Sequence, residues 1–261
     1  MLGHSVATNF NEKTGFKEYS HDSIVDQMLV DHMKTHGISP IDAVKHFPVL
    51  ARRQSLKRFL AHVELFKKTL DVPGDILELG VFRGLGLMTW ANLLEAFAVG
   101  DRTKTVIGMD NWSGFEEIGP QDGELNNSTG KVLGGFDAGG YYQELESAIN
   151  IFDFDRFIPW KPRIELVRGS IEQTLPHLLD TRPGLRFSLV HFDVDLYYPT
   201  KVALEAIWDH IPKGGVIVFD EYGIVDWPGE SQAVDEFLAM HPNARLKTFN
   251  WTNTPGAYLV K

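Results

Sequence analysis

The sequence predicts an α/β fold: a mostly parallel, seven-stranded sheet with helices on both faces, preceded by a helical extension. Three observations carry that reading. From residue 75 onward, apolar runs of strand length alternate with segments of helical period. Two of the runs, Phe187-Ser-Leu-Val-His-Phe-Asp193 and Gly215-Val-Ile-Val-Phe-Asp220-Glu221, pass from near-continuous hydrophobicity straight into carboxylates. Buried parallel strands do this where their carboxyl ends open onto a site. Between them Val202, Leu204, Ala206, Ile207 and Ile211 recur at roughly helical spacing. A right-handed crossover through that helix sets Asp193 beside Asp220 and Glu221.

Taken in order, residues 1–19 are polar and aperiodic and read as an arm or lid, with Phe10, Phe16 and Tyr19 suited to docking. Helical spacing then joins Ile24, Met28, Val30 and Met33 before Gly37, continues over Ile41 to Phe47, and resumes from Leu56 through Phe59, Val63 and Phe66 to Leu70. Three helices are expected there. Asp71-Val-Pro-Gly74 reads as a turn, so residues 1–73 form an N-terminal arm and helical extension, a lid or oligomerisation element, ahead of a main domain at 74–261. Strands are expected near 75–81, 105–110, 164–168, 187–193 and 215–220. A terminal pair near 245–251 and 256–260, joined around Asn253-Thr-Pro-Gly256, reads as an antiparallel addition. The glycine-rich stretch 111–140 is long and irregular enough to be a mobile cover over a ligand.

Composition narrows the partner. With 25 basic against 35 acidic residues the formal charge is −10, which disfavours a nucleic-acid backbone and favours a small ligand, neutral or bridged by metal. There is no cysteine, so any metal must be held by oxygen or imidazole. Met1 to Ser20 has no apolar core, and no run approaches the roughly 18 apolar residues of a membrane helix. The expectation is a cytoplasmic, soluble protein with no membrane partner.

The first strand ends Ile76-Leu-Glu78-Leu-Gly80-Val81-Phe-Arg83-Gly84-Leu-Gly86 and runs into the apolar helix Leu87 to Phe97. Glycines admit a ligand to the backbone, and a helix N-terminus follows. A dinucleotide fingerprint would need a third glycine where Thr89 stands. Glu78 would repel a pyrophosphate but suits a ligand bearing an ammonium group, as S-adenosylmethionine does. Asp110, closing the second strand, is placed to accept ribose hydroxyls, and Gly169, Ser170 and Ile171 after the third leave room for an adenine edge.

At these blocks the chain resembles the macrocin and mycinamicin type sugar O-methyltransferases, in particular the dTDP-6-deoxy-L-hexose 3-O-methyltransferase branch. The resemblance covers roughly Arg53 to Glu236, through Phe59-Leu-Ala-His62, Pro73-Gly-Asp-Ile-Leu-Glu78, Asp110-Asn111-Trp112-Ser-Gly114-Phe, Gly169-Ser-Ile-Glu-Gln-Thr-Leu-Pro176, Asp193-Val-Asp-Leu-Tyr197 and Asp220-Glu-Tyr222. It implies a Rossmann-like class I methyltransferase fold that uses S-adenosylmethionine, and commonly an oligomer. It also implies Asp193 as general base and magnesium ligand, with Asp220 and Glu221 as the other ligands. The mycinamicin-type pattern has Asp where Glu221 stands here.

Several residues admit two readings. Asp195 is expected to cap the following helix or brace the site rather than bind metal. Tyr222 and Trp227 either face an acceptor or are packed at a strand end and a helix-entry turn. Trp112 either covers adenine or sits in the core. Arg83 either counters a cofactor carboxylate or pairs with a surface acid. His191 reads as a core histidine, and His32 with His36 as a solvated face, since no Glu completes a metalloprotease motif. The expected activity is methylation of a sugar hydroxyl on a nucleotide-linked deoxyhexose, a glycosylated natural product or a polysaccharide. A catechol-like vicinal diol is the alternative acceptor, and a non-catalytic S-adenosylmethionine-binding protein the alternative class.

Overall fold

A computed structural model describes residues 7–11 and 16–261, with side chains from residue 21 onward. Part of the segment expected to be an aperiodic arm is instead an antiparallel hairpin: β1 (Ala7–Asn11) pairs with β2 (Phe16–Tyr19), Phe10 opposite Lys17 and Asn11 opposite Phe16. The docking expected of Phe10, Phe16 and Tyr19 lies outside the described side chains.

Four helices follow where three were expected: α1 (Ser20–Thr35), α2 (Pro40–Lys45), α3 (Phe47–Leu50) and α4 (Arg53–Lys67). Ser39 caps α2 by accepting the Asp42 amide at 3.2 Å. Pro48 has no amide to extend that ladder and starts α3 as a new turn. Neither α2 nor α3 contains a buried residue, and His32 on α1 and His36 just after it are exposed. α4 differs. Its face through Arg58, Ala61, His62 and Leu65, at helical spacing, turns inward, and Ala61, His62, Leu65 and Phe66 are buried.

Beyond α4 the chain alternates strand and helix: β3 (Asp75–Leu79), α5 (Leu85–Phe97), β4 (Val106–Asp110), α6 (Tyr142–Asp155), β5 (Ile164–Arg168), α7 (Ile171–Thr181), β6 (Phe187–Phe192), α8 (Tyr197–Ile207), β7 (Val216–Phe219), α9 (Pro228–Met240), β8 (Leu246–Lys247) and β9 (Ala257–Val260). The seven-stranded sheet runs β5-β4-β3-β6-β7-β9-β8. All neighbours are parallel except β9, which is antiparallel to both β7 and β8, as expected of the terminal pair. The strand order reverses between β3 and β6, and the carboxyl ends beside such a switch point are where open α/β sheets hold ligands.

Strand parity divides the core. Leu77, Leu79, Ile107, Met109, Val190, Phe192, Ile217 and Phe219 meet α7, α8 and α9 on one face. Ile76, Val106, Leu189, Val216 and Val218 meet α4, α5 and α6 on the other. The same alternation sends Glu78, His191, Asp193 and Asp220 toward the face covered by α4.

Leu77 is fully buried while Val49 on α3 is 76% exposed. Urea denaturation should therefore register a loss of about 2–5 kcal/mol for Leu77→Ala. Val49→Ala should fall within about 0.5 kcal/mol of the parent.

Candidate active site

The glycine loop after β3 is held open by its neighbours. Gly80 has φ +85, and a Cβ there would overlap the Asp193 carbonyl oxygen, so the tips of β3 and β6 approach as closely as they do only because residue 80 is glycine. The Asp110 carboxylate closing β4 accepts the amides of Val81 and Phe82 through Oδ2, both at 2.8 Å, and of Trp112 through Oδ1 at 2.7 Å. Trp112 in turn donates its indole N–H to the Phe82 carbonyl at 3.1 Å. Asp110 thus fixes the loop. Four non-glycine residues in the surrounding loops, Phe82, Trp112, Phe136 and Asp195, have positive φ.

At the next two tips the carboxylates converge. Ligand oxygens of Asp193, Asp220 and Glu221 lie within 4.8 Å of one another. Asp195 hydrogen-bonds Glu221, and buried Glu230 accepts the Glu221 amide at 3.0 Å. Beneath them Glu78 and His191 are directly registered partners on β3 and β6. The His191 ring stands 3.5 Å from Glu78 through Nδ1 and 3.5 Å from Asp220 through Nε2, at the outer limit of hydrogen bonding. His62 stacks on Trp90 with centroids 4.4 Å apart and covers His191 edge-on. From α4, Arg58 reaches into the cluster, its Nη2 2.6 Å from Asp193 Oδ2 and 3.2 Å from Asp220 Oδ2.

The electrostatics follow from burial and neighbours. Burial raises the Asp193 carboxyl, the charge of Asp220 adds to that, and Arg58 opposes both. Burial also works upward on Asp220, but Arg58 and His191 outweigh it and hold that group below the usual carboxylate range. Burial, with the surrounding carboxylates adding, holds Asp195, Glu221 and Glu230 well above it. Burial pushes Glu78 up to about 7. Burial would lower His191, yet its two flanking carboxylates carry it up to about 10. The cluster is built for positive charge. Asp220 Oδ1, Glu221 Oε2 and Glu230 Oε2 are buried without a hydrogen-bond partner among the described residues. An all-oxygen donor set of this kind fits a hard divalent cation.

These tips open into a cavity of about 1720 Å³. Of the residues expected at a ligand, Gly80, Val81, Arg83, Gly84, Asp110, Asn111, Gly169, Ser170, Ile171, Asp193, Asp220, Glu221 and Trp227 line it. Three do not. Glu78 lies under the sheet tip, 1% exposed, its carboxylate filling the space a Gly86 side chain would need. Trp112 is core, 1% exposed, with its ring edge-on to Tyr142. Tyr222 turns away and donates to Asp235 at 2.8 Å. Arg83 pairs with Glu144 at 2.8 Å and lies over the Tyr141 ring.

Sequence reasoning missed Arg58 and Asp122. Arg58 shares the inward face of α4 with Ala61, His62 and Leu65, beside the apolar stripe that the sequence displays, so periodicity gave no signal for it. Asp122, 2% exposed, accepts the Tyr197 amide at 2.7 Å and the Gly119 amide at 2.8 Å. Buried Lys131 donates to the carbonyls of Asp122 and Asp226 at 2.6 and 2.7 Å. These contacts fasten the stretch expected to be a cover to the β6–α8 and β7–α9 connections.

Gly80→Ala should separate the β3 and β6 tips. Its expected signature is weakened binding of S-adenosylhomocysteine by calorimetry together with a lowered melting temperature.

A family model described as macrocin-O-methyltransferase matches residues 43–254. The mycinamicin III 3''-O-methyltransferase of Micromonospora griseorubida is 28% identical over 178 residues, covering 65% of this chain and 62% of that protein. The chain thus spans under two thirds of the length of that curated relative. Among solved structures, the calicheamicin methyltransferase CalS11 superposes with a TM-score of 0.85 at 28% identity, covering 98% of both chains. Its apo form, described as a TDP-rhamnose 3'-O-methyltransferase, gives 0.77 at 27% identity, over 96% of this chain and 98% of that one. The expected Rossmann-like class I methyltransferase fold is borne out by these superpositions. Since the family match takes in Arg58, the glycine loop, Asp110 and both acidic strand tips, the chain belongs to the macrocin-O-methyltransferase family.

Proposed function

We propose that this protein transfers the methyl group of S-adenosylmethionine to a sugar hydroxyl, with Asp193 as the general base and a divalent cation, magnesium first, held by Asp193, Asp220 and Glu221. The observation that carries the proposal is the convergence of those three carboxylates in one cavity with the glycine loop of β3. The family supports the methyl donor, and a similar protein described as a TDP-rhamnose 3'-O-methyltransferase supports a sugar acceptor. A nucleotide-linked deoxyhexose, a glycosylated natural product and a polysaccharide sugar all fit this reading.

A bound divalent cation would supply Lewis acidity toward a hydroxyl otherwise too weakly acidic to react at neutral pH. The chain's own residues do the rest. Asp193, raised above the ordinary carboxylate range by burial, takes the hydroxyl proton. The acceptor oxygen then forms a bond to the methyl carbon as the carbon–sulfur bond breaks, and the sulfonium becomes a neutral thioether. Gly80 to Gly84 and Asp110 hold the donor, and Trp227 with Phe59 and Phe115 walls the acceptor side. Holding both reactants in one cavity removes an entropic barrier that reaches about 7–11 kcal/mol for well-oriented pairs. The segment 1–73 reads as a lid or oligomerisation element, and the stretch 111–140 as the cover.

Asp193→Asn should lower kcat by about 10²–10⁴-fold while S-adenosylmethionine still binds; near-normal turnover would remove Asp193 as the base. Chelation should stop turnover and added magnesium restore it, whereas an unaffected chelated enzyme sinks the cation. A methyl-transfer assay across activated sugars, glycosides and catechols, with product position read by NMR, tests the acceptor. Methylation of catechols alone overturns the sugar reading.

A further inference from the structure

Arg58 places one guanidinium nitrogen within reach of an oxygen on each of two proposed cation ligands. Nη2 stands 2.6 Å from Asp193 Oδ2 and 3.2 Å from Asp220 Oδ2. A magnesium-sized ion bonds carboxylate oxygen at about 2.0–2.1 Å. An ion held by Asp193 at that distance would stand in close contact with the nitrogen that already donates to it, and two cations so placed repel one another. We propose that Arg58 is an internal counter-cation, which occupies the carboxylate cradle in the ion-free protein and must leave Asp193 before a divalent ion binds there. The inference rests on the cation reading above and goes beyond it by naming the group the ion displaces.

Charge makes such an occupant necessary. Glu78, Asp193, Asp195, Asp220, Glu221 and Glu230 crowd the strand tips, and the positive groups facing them are His191 from β6 and Arg58 from α4. An arginine stays charged at every working pH, so the cradle cannot shed this cation by deprotonation. A divalent ion has to outcompete it. While Arg58 donates to Asp193 Oδ2, that oxygen is also a weaker proton acceptor, which makes this arrangement the resting one. The residue is carried by α4, whose Leu56 and Phe59 line the same cavity as Phe47 of α3. Withdrawal of Arg58 therefore links ion binding to the acceptor wall. As a positioning residue, Arg58 acts through Asp193 and the cradle.

Manganese titration followed by electron paramagnetic resonance tests the idea, with Mn²⁺ standing in for magnesium. Apparent affinity falls by the fraction of protein in the binding-competent state. Arg58→Gln, which vacates the cradle, should therefore bind Mn²⁺ about tenfold or more tightly than the parent. Equal or weaker binding overturns the proposal and leaves the cation reading standing. If neither protein binds Mn²⁺, the cation reading falls and this inference with it. Should Arg58→Gln fail to fold, a crystal structure of the unaltered protein with Mn²⁺ located by anomalous scattering decides. Arg58 moved out of hydrogen-bonding reach of Asp193 supports the displacement, and Arg58 still bonded to Asp193 Oδ2 beside a bound ion overturns it.

Discussion

The concentration of negative charge at the tips of β6 and β7 governs the architecture around it. Carboxylates so close together and so deeply buried repel one another strongly, because the surrounding medium screens poorly. Two positive groups answer that repulsion. β6 supplies His191 from below, with Glu78 of β3 beside its ring, and α4 brings Arg58 from above. The arrangement follows from strand parity, since residues 78, 191, 193 and 220 all face the side of the sheet that α4 covers.

α4 is therefore a structural part of the site as well as the last helix before the sheet. Its apolar residues Leu65 and Phe66 anchor it in the core, and its N-terminal half extends over the cavity. The preceding helices have no comparable hold, and large apolar side chains on them, including Met28, Val44, Phe47 and Val49, are half or more exposed. Opposite α4, the stretch between β4 and α6 is tied down through Asp122 and Lys131. The cavity thus lies between two walls that meet the sheet through buried polar contacts rather than apolar packing alone.

Much of this was legible in the sequence, for identifiable reasons. Buried parallel strands leave unbroken apolar runs, so β3 to β7 fall within a residue or two of their expected bounds, and the abrupt change to Asp193 and to Asp220-Glu221 marks the carboxyl ends. What stayed hidden depends on tertiary partners. Residue 58 meets residue 193 across 135 positions, and nothing in the helical pattern around it announces the contact. Glu78 looked like a ligand contact because sequence shows a carboxylate before glycines without showing that His191 stands beside it. Trp112 satisfies both a core and a ligand-facing reading until its indole is seen bonded to Phe82. The hairpin of β1 and β2 escaped because neither strand is long or apolar enough to announce itself.

The backbone of Phe82, Trp112, Phe136 and Asp195 has a further consequence. Each holds a side chain in a left-handed conformation that disfavours it by about 1–3 kcal/mol. Replacement by glycine would relax those torsions, yet at Trp112 it would also delete a buried ring, and the lost packing outweighs the strain relieved. It would also free the loops that those torsions keep in a single shape around the cavity. A more stable variant is better sought at exposed apolar residues of the N-terminal helices such as Met28 and Val44, which do not line the cavity.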